Sequence, residues 1–120
     1  MIEANSLTRV FNSLIAVDRV SFHVNQGEVF GFLGHNGAGK TTTIRMLTGQ
    51  LRPTSGRASI DNHDVVTERA AIKPMIGVVF EYQNLYERMS GRDNLSFFAE
   101  LHGVGEKRVD ELLEMVGLAD

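Results

Sequence analysis

The chain has 120 residues, 42% of them hydrophobic, enough for one domain with a real core, and its 12 basic and 15 acidic residues leave a formal charge of -3. That balance supplies no broad attraction for nucleic acid or an anionic membrane surface and argues against nucleic acid as a partner. With no cysteine there is neither a disulfide framework nor a thiolate metal site, and no apolar run approaches the roughly 18 residues of a spanning helix, so a cytoplasmic protein, at most peripheral to a membrane, is expected.

In chain order the first elements read as strands. Val20, Phe22 and Val24 alternate with Ser21 and His23, while Asn12-Ser13 and Asn25-Gln26-Gly27 are turn material. Residues 29–33, VFGFL, run apolar without alternation, as a strand buried on both faces does. A helix is expected from about Gly39 to Thr48, with Ile44 and Leu47 turned inward and Gly49 ending it. A turn at PTSG (53–56) leads to a short strand, RASI, closed by the turn-like DNHD of residues 61–64. The β-rich run IGVVF (76–80) reads as a second central strand. Ser90 and Asp93 form an acidic variant of the capping box, opening a helix lined by Leu95, Phe98 and Leu101. A last amphipathic helix carries Val109, Leu112, Leu113 and Val116 and stops at Gly117. Strands separated by helices predict an α/β fold with a parallel sheet core and an N-terminal antiparallel β layer. No repeat or linker divides the chain, so residues 1–120 are expected to form one domain portion.

The chemistry concentrates in GHNGAGKTTT, residues 34–43. Gly34, Gly39, Lys40 and Thr41 satisfy the pattern GxxxxGK followed by Ser or Thr, between a predicted strand and a predicted helix. Backbone N–H groups of Asn36, Gly37, Ala38, Gly39, Lys40 and Thr41 can converge on one concavity, and the helix N-terminus adds about half a positive charge. Lys40 is placed to reach the β- and γ-phosphates and the Thr41 hydroxyl to ligate Mg²⁺. Thr42 completes the candidate set. Hydrogen bonds to a charged partner contribute about 1.5–3 kcal/mol each, so several together hold a triphosphate at micromolar strength.

Two stretches, VSFHVNQGEVFGFLGHNGAGKTTTIRMLTGQLRPTSGRASIDNHDV (20–65) and IGVVFEYQNLYERMSGRDNLSFFAELHGV (76–104), closely resemble the N-terminal part of the nucleotide-binding domain of ATP-binding cassette (ABC) transporter ATPases, most like exporter-type cassettes. The resemblance implies a P-loop NTPase-like core, ATP and Mg²⁺ as cofactors, a second cassette and a transmembrane transporter subunit as partners, and a place on the inner face of the cell membrane. By the same likeness Phe11 is where the family puts an aromatic that stacks on adenine; its alternative is a buried strand end. Val17 is a second candidate for that base. The family's glutamine after the second central strand, which meets Mg²⁺ and the attacking water, is replaced here by Glu81, a stronger metal ligand that repels a γ-phosphate unless metal screens it; the alternatives are an ordinary charged loop residue, or Gln83, two residues on, taking the role if the loop shifts.

MSGRD (89–93) is not read as the family's LSGGQ signature, because Arg92 stands where a glycine lets backbone approach phosphate. DNHD is read as a turn rather than a metal site, the four histidines show no ligand spacing, and Phe97 and Phe98 are read as core. The signature, the strand ending in Asp and Glu, and the switch histidine have no counterpart, so the chain is expected to be the N-terminal portion of a cassette, to bind ATP weakly and hydrolyse almost none alone, and to self-associate or accept a partner over exposed apolar surface. A small P-loop kinase or GTPase and a non-hydrolytic interaction module are the other readings, the latter using Leu85, Tyr86 and Met89, near which relatives receive a membrane subunit's coupling helix. A guanine reader of the form Asn/Thr-Lys-x-Asp is absent from the sequence.

Overall fold

A computed structural model of the chain describes residues 1–33, 38–79 and 85–119, with the Ala38 side chain left out. The fold is α/β, in two units, Met1–Val78 and Val79–Asp120.

The first unit is built on an antiparallel hairpin. β1 (Ile2–Phe11) and β2 (Leu14–Val24) pair from Ile2 with Val24 to Phe11 with Leu14. Asn12, at φ 51°, begins the Asn12-Ser13 turn the sequence predicts, since asparagine tolerates the left-handed region better than most side chains. The expected alternation holds, with Val24 buried and Ser21 and His23 exposed. β1 also pairs with β3 (Ser55–Ile60), and β3 with the short β4 (His63–Asp64), giving the order β2-β1-β3-β4. This sheet is the antiparallel layer. Its register slips three times along the hairpin, and side chains supply bonds near the slips: the Ser6 amide donates to Ser21 Oγ at 2.8 Å and the Arg19 amide to Thr8 Oγ1 at 3.0 Å. Opposite one slip Gly56, at φ 80°, lies so close to the Ser6 backbone that a β-carbon there would collide with it.

Two residues of positive φ, Asp61 and Asn62, turn β3 into β4, so DNHD is the predicted turn. Asp64 then accepts the amides of Val66 at 2.8 Å and Thr67 at 3.0 Å, which hold its carboxyl below the ordinary aspartate value, the Thr67 amide contributing most. A short helix α2 (Arg69–Ile72) and a 3-10 turn (Lys73–Met75) follow.

Helix α1 (Ala38–Leu47) packs on the sheet, so Ala4, Leu7, Val17, Ala58 and Ile60 form one core with Met46, Leu47, Val65 and Ile72. The helix lies one residue earlier than predicted, and Gly49, at φ 78°, ends it. Leu47 is inward as expected, but Ile44 is 40% exposed. At 100° per residue the inward face is centred on Thr43, Met46 and Leu47, which leaves Ile44 on the flank.

The two predicted central strands do not form among the described residues: 29–33 and 76–79 carry no ladder, and Val29, Leu33 and Val79 are almost fully exposed. A strand buried on both faces is held by neighbours on each side and helices on both faces, and no described residue supplies them. Phe30 and Phe32 instead gather on Phe22, with ring centroids 5.2 and 5.0 Å away.

The second unit is a helical pair, α3 (Gly91–Leu101) and α4 (Glu106–Met115). Ser90 caps α3 as predicted, its Oγ accepting the Asp93 amide at 3.0 Å. Val109 and Leu113 are buried, whereas Leu101 and Val116, both expected on the packed faces, are exposed in the last turn and cap of their helices. Arg92, in the first turn of α3, pairs with Asp110 at 2.8 Å. Asn94 is buried and binds the preceding segment at four points, accepting the Tyr86 amide at 2.8 Å and donating to the carbonyls of Tyr86, Met89 and Ser90. Phe97 and Phe98 pack around Tyr86 with centroids 5.3 and 6.3 Å from it, an aromatic cluster in which Phe97 stays partly exposed.

Candidate functional site

Gly34, His35, Asn36 and Gly37 of the phosphate loop lie outside the described residues, as do Glu81 and Gln83. The described part of the site consists of the first turn of α1, a bulge of β2 and the tip of β1.

The first N–H groups of α1 have no acceptor within the helix and carry its positive dipole end. Gly39 sits in this turn, and the need for glycine there is space rather than backbone angle. Between the pairs Arg9 with Val17 and Val10 with Ile15, the ladder leaves Ala16 unopposed on β2. Such a bulge re-aims the backbone. A β-carbon added to Gly39 would stand 3.0 Å from the Ala16 carbonyl oxygen, tighter than ordinary contact.

The helix sorts the three consecutive threonines. Thr41 is exposed, Thr42 is buried, and Thr43 is buried with its hydroxyl donating to the Gly39 carbonyl at 2.7 Å. Only Thr41 of the three presents its side chain to a ligand or metal at the surface, which suits the metal role expected of it. Lys40 is half-buried in the same turn.

Phe11 ends β1 and is 37% exposed, so it is not the buried strand end of the alternative reading. Its partner Leu14 lies two residues before Ala16 on β2, about 7 Å along the strand, and the tip of the hairpin therefore adjoins the first turn of α1. The Arg9 guanidinium carbon lies 4.6 Å from the Phe11 ring centroid. Arg9 also donates from Nη1 to the Arg52 carbonyl at 2.7 Å, while its Nε is buried without an acceptor among the described residues. Val17 is buried in the core, so little of its side chain is open to a base.

A flat ring, a helix N-terminus with its positive dipole end and an exposed hydroxyl suit a base, a polyphosphate and a hydrated divalent cation in turn. Among the described residues no group of three or more His, Asp or Glu could hold a metal. The approach of Ala16 to Gly39 is not legible in the residues, because a bulge leaves no mark in hydrophobic alternation. The stacking of Arg9 on Phe11 was open to discovery, since residues i and i+2 of a strand share a face.

The ABC transporter family profile matches residues 17–120. The chain is 41% identical over 119 residues to the bacitracin transport ATP-binding protein BcrA of Bacillus licheniformis, covering 98% of this chain and 39% of that protein. Among solved structures it is similar to an ATP-binding subunit of an ABC transporter, with a TM-score of 0.83 and 27% identity over 98% of this chain and 51% of the other. It is also similar to a bacterial ABC transporter cassette solved as a dimer, with a TM-score of 0.79 and 26% identity over 95% of this chain and 55% of the other. The chain thus spans about two fifths of the curated relative and about half of each solved chain.

Proposed function

The chain belongs to the ABC transporter family, and on that premise we propose that it is the ATP-binding N-terminal part of a transporter's ATPase subunit. The observation that carries the proposal is the first turn of α1, where Gly39 packs without a side chain against Ala16 and leaves Thr41 exposed at a helix mouth. Phosphate oxygens meet the amides of that turn, Lys40 neutralises the tail, and Phe11 offers its ring to the adenine. Names of relatives support this reading, BcrA being called an ATP-binding protein.

Mg²⁺ fits the same turn. Thr41 presents a hard oxygen ligand at the surface, and Glu81 would add a second. When bound, the cation offsets the charge of the β- and γ-phosphates. The chain's own residues orient the nucleotide: the helix mouth fixes the tail and the hairpin tip fixes the base. Hydrolysis belongs to the full-length protein, and little is expected from these residues alone.

A second cassette and a transmembrane subunit are the proposed partners. The dimeric form of a similar cassette supports the first, and the exposure of Leu85, Tyr86 and Met89, which offers an apolar landing, supports the second. No helix among the described residues is long and apolar enough to cross a membrane, which fits attachment to the inner face of the membrane through that partner.

Calorimetric titration of the full-length protein with MgATP, MgGTP and inorganic phosphate, with Lys40→Ala as control, tests the proposal. ATP is expected to bind best and the variant to lose most of that affinity. Preference for GTP, or equal binding by Lys40→Ala, would overturn it.

A further inference from the structure

Arg9 and Phe11 leave the same face of β1, because they are two residues apart on a strand whose partner, not itself, carries the local bulge. The guanidinium carbon of Arg9 lies 4.6 Å from the Phe11 centroid, within the range in which a cation is attracted by the ring face. The position of Arg9 is fixed from behind, by the bond from Nη1 to the Arg52 carbonyl at 2.7 Å. No carboxylate pairs with Arg9 among the described residues, and its Nε is buried without an acceptor there. An arginine held by one carbonyl and one ring face, with a buried Nε left unmet among the described residues, is poorly explained by its own satisfaction.

Its effect on Phe11 supplies an explanation. The guanidinium lies over one face of the ring, which leaves the opposite face as the one on which a base would stack. An exposed phenylalanine at a strand end samples several rotamers, and a ligand that stacks on it must immobilise one of them. A cation on the far face removes that freedom beforehand. It also draws π density toward itself and leaves the open face less negative, which favours an offset stack with an electron-rich purine.

We propose that Arg9 is a positioning residue for nucleobase binding, holding and polarising the Phe11 ring for a purine on its opposite face. The proposal rests on the reading of Phe11 as the base platform, and the test separates the two. MgATP and inorganic tripolyphosphate are titrated against the full-length protein and its variants. Arg9→Met, which keeps length and apolar contact but removes the charge, is expected to weaken ATP binding about three-fold with tripolyphosphate unchanged. Arg9→Lys, which restores the cation, recovers part of the loss. In a Phe11→Ala background Arg9→Met produces no further loss, since there is no ring left to position.

If Arg9→Met leaves ATP affinity unchanged while Phe11→Ala lowers it, the positioning role fails and the platform stands. If Phe11→Ala has no effect on ATP, both fail together. Equal weakening of ATP and tripolyphosphate by Arg9→Met, or an undiminished loss in the Phe11→Ala background, also overturns the proposal. Should Arg9→Met melt early, Arg9→Gln, which keeps a donor for the Arg52 carbonyl but carries no charge, decides in its place: a selective loss of ATP binding supports the role, and no change against either ligand refutes it.

Discussion

The Ala16 carbonyl oxygen and Gly39 meet closely: a β-carbon added to Gly39 would lie 3.0 Å from that oxygen, tighter than ordinary contact. The bulge of β2 and the first turn of α1 therefore form one fitted joint. Gly39→Ala gains up to about 1 kcal/mol of helix propensity but overpacks the joint by about 2 kcal/mol. A net loss of about 1 kcal/mol is expected in urea denaturation. Unchanged stability would mean that the joint yields without strain.

Thr41 is the exposed member of the threonine run, whereas Thr43 spends its hydroxyl on the Gly39 carbonyl. Thr41→Val is expected to lower ATP affinity about ten-fold with Mg²⁺ present, the equivalent of one charge-assisted bond, and to change metal-free binding little. Thr43→Val should show no such metal dependence. The comparison is made by titration with and without chelator.

Gly56 stands over the Ser6 backbone at φ 80°, so two independent reasons require glycine there. Gly56→Ala should lose about 3 kcal/mol, well beyond an ordinary surface change, because it strains the chain and collides with a backbone that has no side-chain freedom to give. Thermal unfolding followed by circular dichroism would show it. A shift no larger than that of Gly103→Ala, which meets open space at φ 67°, would refute the collision argument.

Asp64 has its carboxyl lowered from 3.8, chiefly by the Thr67 amide and next among the lowering contacts by that of Val66. A carboxyl lowered in the folded state binds its proton more readily when unfolded, so its contribution is complete above the unfolded value. That contribution disappears as pH falls through the folded one. Stability should therefore decline below about pH 4, with a shallower decline in Asp64→Asn, which keeps an acceptor oxygen but cannot titrate. Glu28, lowered by the backbone and then the side chain of Asn25, and Glu68, lowered first by His63, leave part of the acid limb in place. Melting temperatures from about pH 6 to about pH 2 measure both curves.

Local rules were legible wherever one residue type answers one backbone demand. Asn12, Gly49 and Gly117 at positive φ, and Ser90 capping α3, all stand where the sequence puts them. The hairpin was legible because its two faces differ in polarity. Residues 29–33 and 76–79 were misread for the opposite reason. An apolar run records that a segment can be buried, not that neighbours are at hand to pair with it, and these stay unladdered among the described residues. Ile44 was misplaced because two threonines compete for the inward face of α1, and a buried threonine that bonds its own helix looks polar in a list of residues. Asn94 was missed altogether: nothing in an amphipathic pattern marks an amide that serves four backbone groups of the segment before it. For the candidate site, the motif named the helix and its threonines, whereas the contact with Ala16 required the register slip of a strand.

Val29, Leu33 and Val79 stand almost fully in water, on segments whose composition favours extended pairing. Covering such residues with another polypeptide surface releases free energy, so the melting temperature of the chain should climb with its concentration, as in a system where folding and assembly share one equilibrium. A melting point that stays fixed over a hundred-fold dilution would show that these valines and this leucine are content in solvent, and that the chain's thermodynamics are those of a solitary molecule.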